Sequence, residues 1–269
     1  LLASGIDDAK ENAAKALKNL SYCNDENKVA IAAAGAIPPL VALLAAGTDD
    51  AKEHAAGALR NLSCNDENNN VAIAAAGAIP PLVALLAAGT DDAKEHAAGA
   101  LRNLSCNDEN NKVAIAVAGA IPPLVAVLSS GTAEANALAA GALGNLACDD
   151  ENKVAIAAAG AIPPLVALLS SGIDDTKEFA AGALVNLSCN DENKVAIAVA
   201  GAIPPLVALL ASGIDDAKEN AAKALKNLSY CNDENKVAIA AACAILPLVT
   251  LLSSGTAEAN ALAAGALGN

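Results

Sequence analysis

Apolar residues along this chain fall into short blocks with the same punctuation, and the blocks return every 41 or 42 residues. One unit, residues 65–106, shows the pattern. The polar run Asn65-Asp66-Glu67-Asn68 precedes an apolar stretch over 71–76 that Gly77 closes. A short first helix fits this run, with glycine as its left-handed terminal residue. Ala78-Ile79-Pro80-Pro81 opens a second helix, which continues through Leu82, Val83, Leu85 and Leu86 to about Gly89. Proline is tolerated there because the first turn has no intrahelical use for its missing N–H. Thr90 is the predicted N-cap of a third helix from 91 to about 105, with Asp91 and Asp92 in its first turn. Ala93, Ala97, Ala100, Leu101 and Leu104 lie at helical spacing and mark its buried stripe.

The same punctuation recurs throughout. Ile-Pro-Pro-Leu begins at Ile37, Ile79, Ile121, Ile162 and Ile203, and Ile-Leu-Pro-Leu at Ile245. Asn-Leu keeps the same time at Asn19, Asn61, Asn103, Asn145, Asn186 and Asn227, with Asn269 on the next beat. A fixed period of this size means stacked units, because one unit cannot bury its apolar face alone. The expected architecture is all-α: seven third helices, six first and six second helices, in one continuous domain over residues 1–269. Both ends fall inside a repeat, so the chain is read as part of a longer array. Residues 1–40 return at 209–248 with two changes, Gly35 to Cys243 and Pro38 to Leu246, and 128–145 return unchanged at 252–269. Such copying fits recent duplication or a designed or inferred sequence; the recurring cysteines and the drifting unit length favour a natural one. Cysteine in a left-handed position costs about 1 kcal/mol relative to glycine, so the sixth unit is expected to be weaker, or to turn differently, at Cys243.

Composition narrows the picture. Hydrophobic residues make up 55% and aromatics 1%, so the core must be Ala, Leu, Ile and Val. Charged residues, Asn, Gly and Pro interrupt every run before the roughly 18 apolar residues of a membrane span, so no membrane insertion is expected. The net charge of −14 would repel nucleic acid and makes a basic partner the natural complement. Most acids sit at predicted helix starts, as Asp49-Asp50 and the blocks at Asn65, Asn107, Asn190 and Asn232, where they cap amides and offset the helix dipole. Six of the seven cysteines recur with the repeat (Cys23, Cys64, Cys106, Cys148, Cys189, Cys231). Stacking places equivalent positions about 10 Å apart, beyond disulfide reach. Their spacing is not that of metal ligands, and free thiols in this number suggest a reducing, cytoplasmic setting. No nucleophile–base set, phosphate loop or paired-carboxylate site is present, so neither an enzyme nor a cofactor is expected.

Three helices per unit, with Gly-Ala-Ile-Pro-Pro-Leu-Val-Ala-Leu-Leu and a terminal Ala-Leu-X-Asn-Leu, resemble the armadillo repeat, and the resemblance spans the chain. It implies a right-handed superhelix whose third helices line a concave groove, with Asn19, Asn61, Asn103, Asn145, Asn186, Asn227 and Asn269 facing it to bond the backbone of an extended peptide. An amide offers both donor and acceptor for that purpose; alternatively each Asn satisfies a loop carbonyl or caps a helix end. Four residues earlier, where nuclear import adaptors often carry Trp, stand Lys15, Gly57, Gly99, Gly141, Gly182, Lys223 and Gly265, so the resemblance does not extend to an aromatic slot. Helical geometry puts positions seven and eleven before each Asn on the same face. These are Asn12, His54, His96, Leu138, Phe179, Asn220 and Leu262, then Asp8, Asp50, Asp92, Glu134, Asp175, Asp216 and Glu258. The groove is expected to have an acidic wall, histidines able to titrate near neutral pH, and an apolar anchor site at Leu138 and Phe179, with Val185 nearby and open space over Gly141 and Gly182. The leading function is a scaffold binding a protein segment, basic or with an apolar anchor. The alternatives are the substrate arm of a U-box-type ubiquitin ligase and an architectural part of a large or cytoskeletal assembly.

Overall fold

The computed structural model describes Leu2 and residues 6–106, 108–171 and 173–269. Among the described residues there are nineteen helices and no strand, the number the repeat predicts. In chain order they are α1 (Asp7–Ser21), α2 (Asp25–Ala33), α3 (Ile37–Ala46), α4 (Asp49–Ser63), α5 (Glu67–Ala75), α6 (Ile79–Ala88), α7 (Asp91–Leu104), α8 (Glu109–Val117), α9 (Ile121–Ser130) and α10 (Ala133–Leu146). There follow α11 (Asp150–Ala158), α12 (Ile162–Leu168), α13 (Asp174–Leu187), α14 (Asp191–Val199), α15 (Ile203–Ser212), α16 (Asp215–Ser229), α17 (Asp233–Ala241), α18 (Ile245–Ser254) and α19 (Ala257–Gly268). No single helix is long and apolar enough to cross a membrane.

The chain divides into two compact units, Leu1–Asn145 and Leu146–Asn269. Both are solenoidal stacks. In the first, the third helices α1, α4 and α7 pack side by side as one row and the second helices α3, α6 and α9 as another, with α3 against α4 and α6 against α7. In the second, α13, α16 and α19 form the row of third helices, backed by α12, α15 and α18. Ala55, Ala56, Ala97 and Ala98 are fully buried, and such small residues let the third helices approach closely. Between the rows lie Leu40, Leu59, Leu62, Leu82, Leu101 and Leu104, each worth about 2 kcal/mol of burial. All seven cysteines are free.

Helix ends follow their local chemistry. Thr48 and Thr90 accept from Ala51 N–H and Ala93 N–H at 3.2 Å, as predicted for N-caps. Gly35, Gly77, Gly119, Gly160 and Gly201 hold φ between 75 and 82° where the first helix turns into the second. Cys243 holds φ 62° at the same place, and Cys243 N–H to Ala240 O (3.0 Å) with Ala244 N–H to Ile239 O (3.3 Å) reproduce the turn at Gly201. The sixth junction therefore turns as the others do, with a side chain where the backbone favours none.

The polar blocks supply the first-helix caps as expected, and the structure picks out which residue of each block does so. The capping residues are Asn24, Asp66, Asp108, Asp149, Asn190 and Asn232, each accepting from the backbone N–H three residues on. Asn65 is therefore no cap; it is left-handed at φ 59°, as are Cys23 (50°) and Cys231 (53°). Asn107, at the equivalent position, lies outside the described residues. These four are the extra residue of the 42-residue units. The 41-residue units pass from Cys148 to Asp149 and from Cys189 to Asn190 without it, and neither cysteine has positive φ. At Cys23, Asn65 and Cys231 one left-handed residue absorbs the drift in period.

Candidate functional site

The Asn row is built by the third helices and tied to the helix before it. Asn61 Nδ2 donates to Lys18 O (2.9 Å) and Ser21 Oγ (3.3 Å); Asn103 Nδ2 donates to Arg60 O and Ser63 Oγ (both 3.1 Å). Asn145 Nδ2 repeats this on Arg102 O (3.0 Å) and Ser105 Oγ (3.2 Å). In the second unit Asn227 bonds Val185 O (3.2 Å) and Ser188 Oγ (3.1 Å), and Asn269 bonds Lys226 O (2.9 Å) and Ser229 Oγ (3.0 Å). Where Ala147 replaces the serine, Asn186 Nδ2 reaches Cys148 Sγ at 3.6 Å. A helix end leaves carbonyls without intrahelical partners, and each Asn supplies a donor from the next repeat. The donor half of the expected two-way peptide pairing is thus spent within the protein. Asn19 is exposed; Asn61, Asn103, Asn145, Asn186 and Asn227 are half-buried.

The residue before each Asn was not among the positions chosen by helical spacing, and it shapes the face. In the first unit it is Lys18, Arg60 and Arg102, in the last turns of α1, α4 and α7. Each stem lies over the glycine of the next repeat. A Cβ on Gly57 would meet Lys18 Cδ at 2.7 Å, one on Gly99 Arg60 Nε at 2.6 Å, and one on Gly141 Arg102 Nε at 2.7 Å. Lys226 covers Gly265 in the same way at 2.9 Å. Where the preceding residue is Val185, the next repeat carries Lys223 rather than glycine. The glycines standing where import adaptors carry Trp therefore seat a cationic stem, and the open space predicted over Gly141 is filled. A Cβ on Gly182 would meet Asn220 Nδ2 at 3.4 Å.

In the first unit these side chains enclose an open cleft of about 500 Å³, lined by Lys18, Lys28, Arg60 and Arg102 against two carboxylates, Glu95 and Glu134. Arg60 donates to Glu95 Oε1 (3.1 Å) and to Glu134 Oε1 (3.2 Å). His96 Nε2 lies 2.7 Å from Lys18 Nζ. Burial first, then the charges of Lys18 and Arg60 and the proximity of His54, lower the His96 pKa from 6.5 to about 3. The expectation that His96 titrates near neutrality is corrected on these grounds. His54 Nδ1 is buried without a hydrogen bond and 3.9 Å from Glu53 Oε1. Asp50, Asp92, Glu134 and Asp175 are exposed at their helix starts. Leu138 is only 6% exposed and Val185 3%, so neither is an open anchor; Leu138 lies within α10, which is apolar along most of its length. Phe179, in the second unit, is half-buried.

First-helix side chains also buttress this face, a role the repeat pattern did not reveal. Asn69, Asn111 and Asn235 are buried and donate to Leu62 O, Leu104 O and Leu228 O at 2.9–3.1 Å. The next residue is Lys28, Lys112, Lys153, Lys194 or Lys236, paired at 2.6–2.9 Å with the acid three positions back. Only the second unit of sequence has Asn70 there, and its Oδ1 is buried without a partner.

A family profile described as the plant U-box protein ARM repeat region matches residues 2–260. An engineered protein of known crystal structure superposes with a TM-score of 0.90 at 35% identity, over 100% of this chain and 66% of that one, so the chain spans just under two thirds of its length. A designed armadillo repeat protein gives 0.77 at 28% identity, covering 85% of this chain and 97% of that one. Another, solved in complex with the peptide (KR)4, gives 0.76 at 28% identity, covering 86% and 98%. No curated protein sequence matches.

Proposed function

The chain belongs to the armadillo-repeat region family of plant U-box proteins, and on that premise we propose that it is a protein-binding scaffold, taking an extended segment of a partner along the face of its third helices. The observation that carries this reading is the Asn row. The amide nitrogens of Asn61, Asn103, Asn145 and Asn227 are each tied to the preceding repeat, which fixes the amides and leaves their oxygens as the groups for a partner. An extended strand has N–H groups at regular intervals, and a rigid row of acceptors meets them without loss of side-chain entropy. The designed relative solved with a peptide supports the same use of the fold. Within the family, the finer reading is the substrate-recognition arm of a U-box ubiquitin ligase, working in a reducing cytoplasm where seven free cysteines persist.

Selection of a random peptide library on the immobilised chain tests the reading. Peptides are expected to be retained by the chain and lost from an Asn61→Leu, Asn103→Leu variant that keeps its helicity. Equal retention by both proteins would overturn it.

A further inference from the structure

We propose that the cleft of the first unit binds an acidic peptide segment of a partner protein, its carboxylates held by Lys18 and Arg60. This rests on the third helices being the binding face and names what that face takes. The chain carries a net charge of −14, yet this cleft brings Lys18, Arg60 and Arg102 together with two carboxylates, while its fourth cation, Lys28, is balanced by Asp25 at 2.8 Å. Three of the cations occupy one position of successive repeats, each with its stem laid over a glycine of the next. A long side chain seated this way has lost much of its rotamer freedom in advance, so less remains to be lost on binding.

The protein also displays the contact it would make. Glu134 begins two repeats beyond Arg60 and reaches back to the guanidinium at 3.2 Å, while Glu95 takes the other nitrogen at 3.1 Å. Glu134 is 54% exposed, so it is a carboxylate that an incoming one can displace. Its place on Arg60 is that of a ligand's side chain, and a planar guanidinium suits carboxylates at both nitrogens. Lys18 has His96 Nε2 as its near partner, an uncharged acceptor, so its positive charge is left for a ligand to balance. A basic segment would have to approach Lys18 and Arg60 directly, within the roughly 8 Å over which charges act at physiological salt.

The probe is a fluorescein-labelled octapeptide alternating Glu and Ser, about 27 Å long when extended and so able to span three repeats about 10 Å apart. It is titrated into the full chain by anisotropy beside (KR)4 and a Gly-Ser octapeptide. The acidic peptide is expected to bind about 10-fold or more tighter than either. Lys18→Gln and Arg60→Gln should each weaken it about five-fold with helicity and melting retained. Glu134→Gln should strengthen it about three-fold or more, a gain that misfolding cannot imitate. Preference for (KR)4 or the neutral peptide, with third-helix amides protected, would overturn the acidic assignment and leave the binding face standing. Unchanged or weaker binding in Glu134→Gln would overturn it too. Failure of every peptide, including those selected from the random library, would remove both readings.

Discussion

Arg60 and Gly99 are chosen together. A Cβ at position 99 would sit 2.6 Å from Arg60 Nε, so Gly99→Ala is expected to swing the guanidinium away from Glu95 and Glu134. Alanine favours the helix by about 1 kcal/mol, so stability should stay within about 1 kcal/mol of the parent while affinity for the acidic peptide falls; a urea melt and a titration separate the two. Asn70 leaves a buried oxygen unpaired where other units hold a lysine, and Asn70→Lys, three residues after Glu67, is expected to add about 1 kcal/mol in the same melt. His96 adds a pH dependence. Its folded pKa of about 3 lies below the unfolded 6.5, so the unfolded chain takes up the proton first as pH falls. Stability from this residue is complete above pH 6.5 and is lost progressively towards pH 3. His96→Gln should therefore lose less stability than the parent between about pH 7.5 and 4.5; an equal loss would show that His96 is protonated when folded. For Phe179, half-buried in the second unit, truncation to alanine is expected to cost about 2 kcal/mol of partner binding. A loss of about 3 kcal/mol or more in folding stability instead would make it a packing residue.

At the scale of elements, most of the fold was legible because each boundary carries its own chemistry: Thr at a cap, Pro in a first turn, Gly at a left-handed end. What the sequence left ambiguous was the register of the first-helix cap. Asn65 and Asp66 both suit a cap by type, and only the backbone shows that Asn65 is the inserted, left-handed residue. The site was legible in part for a related reason. The Asn row stands out as a repeat, but its partner is the serine two residues after the previous Asn, a contact across about 40 residues that no local pattern displays. The cation row was passed over because positions four, seven and eleven before the Asn define a face by Cβ direction, whereas a long Lys or Arg stem runs on to the next helix. Left-handed cysteines carry strain that glycine would relieve. Cys231→Gly (φ 53°) and Cys243→Gly (φ 62°) are each expected to stabilise the chain by about 1 kcal/mol, read from chemical melts. Unchanged midpoints would show that the turn adapts to the side chain.

For the molecule as a whole, composition and site point in different directions. The net charge of −14 suggested a basic partner, but many of the acids stand exposed at helix starts, and the cleft of the first unit gathers Lys18, Arg60 and Arg102. Net charge describes long-range approach, and the groups within contact distance decide what stays bound. The central claim is that the third helices are the face that binds a protein segment. Hydrogen exchange of the full chain with and without its tightest selected peptide tests this most directly. Slowed exchange confined to the last turns of α4 and α7 and the turns that follow them, with α3 and α6 unchanged, is the expected result. Protection of α3 and α6 with α4 and α7 unaffected would contradict it.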